Sequence, residues 1–375
     1  MKKTILAVLL AACSGAVSAQ IVVGVSASTT GPGSSLGVPV ANAVPLLPKT
    51  VAGQTIRYIV LDDSSDPTTG TRNVSKLISE DKADVVIGST TVPVAIAQSG
   101  VANEAKTPIL ALAPMPVDPA KQPYIFTVPQ PLSLMVNALL DHMKQTGVKR
   151  LAYMGFADSW GDMNYNFALK GAEQRGIEVI TNERFNRNDT SVNSQVLKVV
   201  AAKPDAIFVG GSGTPSALPQ IAAIDRGYSG PIYHTHGVVS RDFIRVAGNA
   251  AKKVVATTGP VTVAEQLPED HPLKALGVDF LQKYEGEHGT GSRNAFAAYV
   301  WDASLIIQAA VPQALKVAKP GTPEFRQAMR DAIESNKDVR GAHAVYNMSP
   351  SDHSGVDERA RVLVTVADNE WKILD

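Results

Sequence analysis

Cysteine is almost missing: Cys13 stands alone in 375 residues, so no disulfide can form within the chain and its stability must come from its core. An excess of charge is missing as well, since 35 Lys and Arg meet 35 Asp and Glu. That balance argues against nucleic acid or an anionic membrane surface as partner. Nowhere does the sequence offer the roughly 18 or more consecutive apolar residues that a membrane helix needs. Repeats and low-complexity tracts are absent too. What remains is a folded chain that is 45% hydrophobic, with scattered charges.

The first residues read as an export signal. Lys2 and Lys3 give a positive end, Thr4 to Ala12 an apolar run, and Val17-Ser18-Ala19 a small-residue cleavage pattern before Gln20. Residues 1–19 are therefore predicted to be a signal peptide that sends the protein to the periplasm. Leu10-Ala11-Ala12-Cys13 also fits a lipoprotein signal with Cys13 as the lipidated residue, and both readings stand. Cleavage after Ala19 leaves 33 basic residues against 35 acidic ones, a net charge of −2. The remaining 356 or so residues exceed what one core usually serves, so two lobes are expected.

Short apolar runs alternate with helical patterns. Strands are predicted at 22–26, 56–61, 85–88 and 109–112, then at 151–155, 178–181, 206–210 and 231–234. Helices are predicted between them at 68–79, 94–103, 132–144, 163–175, 192–200 and 216–225. Continuous Val, Ile and Leu runs suit parallel strands buried on both faces by βαβ crossovers. The series pauses once, in the proline-bounded stretch 123–131, and starts again. The fold class expected is α/β, with two doubly wound parallel-sheet lobes joined by a three-segment hinge. Long helical patterns at 273–288, 294–317 and 323–336 precede strands at 361–366 and 371–374. Crossings are placed near 123–131, 257–260 and 339–342. Lobe one then takes residues 20–129 and 260–339, and lobe two takes 130–259 and 340–375.

In such sheets ligands bind beyond the carboxyl ends of the strands. The loops there (29–36, 62–66, 89–93, 113–116, 156–161, 212–215 and 236–240) are rich in Gly, Ser and Thr and nearly free of Lys and Arg. Helix-start N–H groups can hold an anion without a formal cation.

Four motifs in register resemble one family. They are Thr30-Gly31-Pro32-Gly33-Ser34-Ser35-Leu36-Gly37, Leu61-Asp62-Asp63-Ser64-Ser65-Asp66-Pro67, Val86-Ile87-Gly88-Ser89-Thr90-Thr91 and Ser159-Trp160-Gly161. Together they look like the Leu/Ile/Val-type periplasmic binding proteins, over essentially the whole mature chain. The resemblance implies a type I two-lobe fold that captures a small molecule, needs no cofactor, performs no catalysis, and serves the permease of an ABC importer.

The same comparison marks departures. Where the family's hydroxyl grips an α-carboxylate, this chain has Val92 beside Thr91, and a second hydroxyl position reads Ala113-Pro114-Met115. The acidic side chain that pairs with an α-ammonium is replaced by His236, in Thr235-His236-Gly237-Val238. A buried ammonium without an anion costs several kcal/mol. A neutral imidazole offers one donor, and a protonated one favours a carboxylate. Trp160 replaces a Tyr and offers a flat wall, while Ser212 replaces another Tyr and opens room. The expected site is thus Leu36, Thr91, Val92, Ala113, Met115, Trp160, Ser212 and His236. It would take a small carboxylate on a ring or apolar chain, of the benzoate or phenylpropanoid kind. Branched-chain amino acids are the alternative.

Plainer roles compete at several positions. Trp160 could cap the interlobe face, and His236 could be a satisfied structural histidine. His234 and His236 lack a third ligand for a metal. Asp62, Asp63 and Asp66 lack EF-hand spacing, so capping of the helix near Pro67 is expected. Asp352 and Asp357 read as turn residues, and 30–37 lacks the Lys-Ser/Thr ending of a phosphate loop. A secreted Ser hydrolase would use Ser212 with His236 and Asp225, but Gly-Gly-Ser-Gly-Thr misses the nucleophile-elbow pattern. A sensor for a membrane kinase fits the same fold.

Overall fold

The structure, a computed structural model, describes residues 20–374. The predicted signal segment and Cys13 lie outside the described residues.

The first sheet is built in chain order from β1 (Ile21–Ala27), helix α1 (Ser34–Ala43), the hairpin β2 (Thr50–Val51) and β3 (Gln54–Asp62), and helix α2 (Pro67–Ser79). Then come β4 (Val85–Ile87), α3 (Val92–Glu104), β5 (Ile109–Ala111) and β6 (Ile125–Thr127). Its strand order is β2-β3-β1-β4-β5-β6, parallel except for the β2–β3 hairpin. The stretch 123–131, read above as a linker, contributes β6 to this sheet. Ile125, Phe126 and Thr127 are all buried, and they pair with Ile109, Leu110 and Ala111.

Helix α4 (Leu132–Gln145) leads into the second half: β7 (Arg150–Phe156), α5 (Ser159–Glu173), β8 (Glu178–Phe185), α6 (Asn193–Ala201) and β9 (Ala206–Gly210). It continues through α7 (Ala217–Asp225), β10 (Ile232–His234), α8 (Arg241–Ala247) and β11 (Val254–Thr258). The chain then returns to the first lobe as α9 (Lys274–His288), α10 (Ala295–Ala314), α11 (Pro323–Ser335) and the hairpin β12 (Val339–Arg340) and β13 (Val345–Tyr346). Antiparallel β14 (Val362–Ala367) and β15 (Glu370–Ile373) complete the second sheet, ordered β15-β14-β11-β10-β9-β7-β8.

Local chemistry explains where the helices begin. Asp66 caps α2 by accepting from Thr69 N at 2.7 Å, with Pro67 at the first helical position. Its role is the capping one expected from the sequence. Asp158, Asn294 and Thr322 cap α5, α10 and α11 in the same way. Helix α10 is apolar on nearly every face because it is buried between its neighbours; by length and composition alone it could cross a membrane, yet 72% of its apolar window is buried within the protein.

Three chain segments run between the lobes. The third lies further along than the expected 339–342. Tyr346 is buried in the first lobe's core and donates to Asp302 on α10 at 2.9 Å, so the β12–β13 hairpin stays there and the second sheet is rejoined only at Val362. Gly259, on the second crossing, has no room for a side chain: a Cβ would overlap His343 Nδ1 and Gln130 Nε2. Replacement of Gly259 by Ala is expected to lower unfolding free energy by about 1–3 kcal/mol, as overpacking does. Urea melts of wild type and variant measure this, and equal midpoints would show that the crossings can yield.

Candidate functional site

Each sheet has a switch point where the strand order reverses, between β1 and β4 in the first lobe and between β7 and β9 in the second. Loops leaving those strands part to opposite faces, which opens a crevice at the carboxyl edge. The two crevices face each other. From the first lobe Leu36, Thr90, Thr91, Val92, Pro114 and Phe296 reach the shared cavity, and from the second Trp160, Arg187, Ser212, His236 and Gly237. Six of the eight residues expected from the sequence therefore share one cavity. Ala113 is buried in the hydrophobic core beside it, and Met115 lines a separate apolar depression of about 210 Å³ with Met163 and Phe167. Pro114, between them, is the residue that faces the cavity.

The remaining space in the cavity is about 10 Å³, roughly what one water occupies. The lobes are closed on each other. Thr214 N donates to Ser35 Oγ across the gap at 3.3 Å, and Arg241 Nη1 donates to Thr290 O at 3.3 Å. Any organic ligand requires the lobes to part. The far larger groove beside α1 and α8, about 1050 Å³, is an open surface feature.

Trp160 is placed by the first turn of α5. Asp158 accepts from Trp160 N and Gly161 N at 2.9 and 3.2 Å, and Gly161 lies so close to Phe156 O that a Cβ would overlap it. The indole Nε1 donates to Gly211 O at 3.0 Å, so the ring is fixed before any ligand arrives. His236 stands edge-on to Trp160 with centroids 5.9 Å apart, and its other neighbours are Phe296 and Tyr299. Burial among these rings pushes His236 down to about 4. The imidazole is neutral at neutral pH, and the protonated form weighed above does not apply. Its Nδ1 has no hydrogen-bond partner among the described residues, nor do the hydroxyls of Thr90 and Thr91. They supply polar contacts that the protein itself leaves unused.

Arg187 was missed from the sequence. Strand β8 runs to Phe185, four residues past its expected end, and delivers Arg187 to the cleft. The guanidinium lies 4.2 Å from the Phe156 ring centroid; its Nε donates to Asp158 Oδ2 at 2.6 Å and its Nη1 to Ser212 Oγ at 3.2 Å. Arg187 lies outside the loops read as nearly free of cations, because an edge strand half exposed to water carries polar residues that mask its length. Among the described residues, Arg187 is the one permanently charged side chain lining the cavity, and no carboxylate lines it.

Ser212 Oγ accepts from Arg187, and His236 makes no bond to it. The Ser-His pairing a hydrolase needs is not formed. His234 is a core residue whose Nε2 bonds Gln220 Oε1 at 2.9 Å.

Residues 20–368 match the profile of the family described as periplasmic binding protein. The chain belongs to that family. An extracellular ligand-binding receptor from Rhodopseudomonas palustris HaA2 is 44% identical, with a TM-score of 0.93 over 95% of this chain and 100% of that one. Two more distant structures share the fold of this periplasmic binding protein. A leucine binding protein from Thermotoga maritima MSB8 is 20% identical, with a TM-score of 0.82 over 95% and 98% of the chains. A solute binding protein of an ABC transporter from R. palustris, solved in complex with benzoate, is 19% identical, with a TM-score of 0.76 over 95% and 95%. No curated protein matches the chain. The family and two-lobe fold expected from the sequence motifs are the ones found.

Three of the four buried histidines of this binding protein are strongly depressed and shape its response to acid. Burial pushes His234 and His343 down to about 3, as it pushes His236 down to about 4. Each charges readily only in the unfolded chain, so each subtracts stability as pH falls below about 6.5. Asp302 acts the other way: burial pushes it up to about 7, so the folded chain takes up that proton first. His142 and His271 are depressed as well, while Asp63 and Asp84 are raised with Asp302, so five histidines stand against three carboxyls and the unfolded state holds more protons between pH 6 and 5. Melting temperature should fall steeply across that window, and a flat or rising profile would contradict neutral burial of the histidines.

Proposed function

We propose that this periplasmic binding protein captures a small carboxylate carried on a ring or apolar body and presents it to the permease of an ABC importer. The charge pattern of the cavity carries the reading: Arg187 is its single formal charge, and no acid lines it. A zwitterionic amino acid would have to bury its ammonium against neutral Thr91, Trp160 and His236. Asp158, the acid beside Arg187, is held by Arg187 Nε and by the α5 N–H groups. An unpaired buried ammonium costs several kcal/mol, whereas a carboxylate meets a guanidinium that has already lost much of its water. Trp160, Phe296, Leu36 and Val92 give the remaining wall its apolar and aromatic character, which suits a benzoate or phenylpropanoid. The fold itself leaves the choice open, since a leucine binding protein and a solute binding protein in complex with benzoate share it.

The periplasm is the place of work that family membership and the predicted signal together support. Capture and release by lobe motion need no bond chemistry, and the unpaired state of Ser212 and His236 speaks against a hydrolase.

A thermal-shift panel of benzoate, 3-phenylpropanoate, aliphatic acids, dicarboxylates and leucine tests the reading. Aromatic acids should raise the melting temperature. Stabilisation by leucine alone would overturn the proposal. Substitution of Arg187 by Gln, titrated calorimetrically with the stabilising acid, should weaken binding at least tenfold while the fold persists. Trp160→Ala and His236→Ala should each do the same, and wild-type affinity in all three would remove the site from this cavity.

A further inference from the structure

Helix α10 touches both the ligand cavity and the hinge. Phe296, on its first turn, lines the cavity and stacks on His236, with ring centroids 5.9 Å apart. One turn on, Tyr299 meets His236 edge-on at 6.0 Å and stacks on His343 at 4.0 Å. Each of these rings is buried, so a displacement of His236 has no solvent gap in which to dissipate.

All three crossings converge on the same column. The Tyr299 hydroxyl donates to Gln130 Oε1 at 2.6 Å, and Gln130 Nε2 donates to Ala360 O at 2.8 Å, which joins the first crossing to the third. Asp302, one turn beyond Tyr299, accepts from Ala342 N at 2.6 Å and from His343 N at 2.9 Å. Tyr346 Oη lies within hydrogen-bond reach of both Asp302 Oδ2 and Val128 O, at 2.9 and 3.2 Å. Gly259 brings the second crossing against His343 and Gln130 so closely that no side chain fits. His343 in turn donates from Nε2 to Ala295 O at 2.8 Å, back at the start of α10.

We propose that Tyr299 and Asp302 form a hinge clasp on α10 that holds the lobes closed and couples closure to contact at His236. Tyr299 is a positioning residue: it reaches the cavity through His236 and Phe296, and the hinge through Gln130 and His343. The clasp rests on the cavity being the ligand site and not on which acid fills it. The Tyr299–Gln130–Ala360 link joins two crossings in the closed arrangement, and Asp302 with Tyr346 anchors their first-lobe end, so loss of these bonds is expected to release the lobes.

The two tyrosines allow a test that leaves the cavity walls intact. Tyr299→Phe keeps the ring against His236 and removes the bond to Gln130. Tyr346→Phe lies away from the cavity and removes the bonds to Val128 and Asp302. Distances between spin labels on exposed positions of α3 and α6 report the closed fraction without ligand, and that fraction should fall in both variants. Dissociation constants for benzoate, 3-phenylpropanoate and leucine, for whichever of them bind wild type, should rise threefold or more by one common factor. A lost ligand contact would change their ratios instead. Wild-type closed fractions in folded variants would overturn the clasp, and so would altered selectivity at unchanged closure. Should either variant fail to fold, the other decides. Should neither fold, label distances in wild type carrying Gln130→Leu decide by the same criterion. The ligand-free measurement fails only with the clasp, whereas absence of an aromatic-acid response fails only the proposed ligand.

Discussion

A parallel sheet sends all its strand ends, and with them its polar loop atoms, to one edge. Everything else in this protein follows from setting two such edges face to face. The switch point of each sheet opens a crevice, and closure makes the two crevices one chamber. Neither lobe could build it alone. Leu36, Thr91 and Val92 come from loops of the first sheet, while Trp160, Ser212 and His236 come from loops of the second.

Burial then decides what chemistry the chamber can hold. A charge placed there is tolerated only with a partner close by. Arg187 meets the condition through Asp158 and Ser212, and His236 meets it by giving up its proton. The result is one cation already tied at Nε and Nη1, facing aromatic surfaces and unused hydroxyls. Such a wall discriminates by charge sign first and by shape second. Asp302 has no cation among its hydrogen-bond partners. It is supported instead by two backbone N–H groups and a tyrosine, and it ties the β12–β13 hairpin of the first lobe to α10.

Much of this was legible in the sequence because its signals were strong. Central strands such as β1, β4 and β5 are unbroken apolar runs, and helices such as α2 and α11 are amphipathic with caps at their starts. What escaped notice did so for physical reasons. Strand β8 is an edge strand that carries Asn182 exposed and Glu183 and Arg184 half-buried, so its second half reads as loop and Arg187 falls outside every expected site. Strand β6 is three residues long between prolines and reads as linker. Helix α10 is apolar on all sides, so Phe296 and Tyr299 are indistinguishable from core until the helix is placed. At Ala113-Pro114-Met115 the motif gave the right loop and the wrong residues, because only the middle side chain points to the chamber.

The sliver of room left between the closed lobes carries a consequence of its own. With space for about one water, every atom of a captured molecule acts as a spacer. The lobes come to rest at an opening set by the thickness of what they hold, a flat ring allowing a narrower angle than a branched chain. Cargo dimensions are thereby written into the outline of the whole particle, where a partner that grips both lobes at once can gauge them without ever touching the cargo.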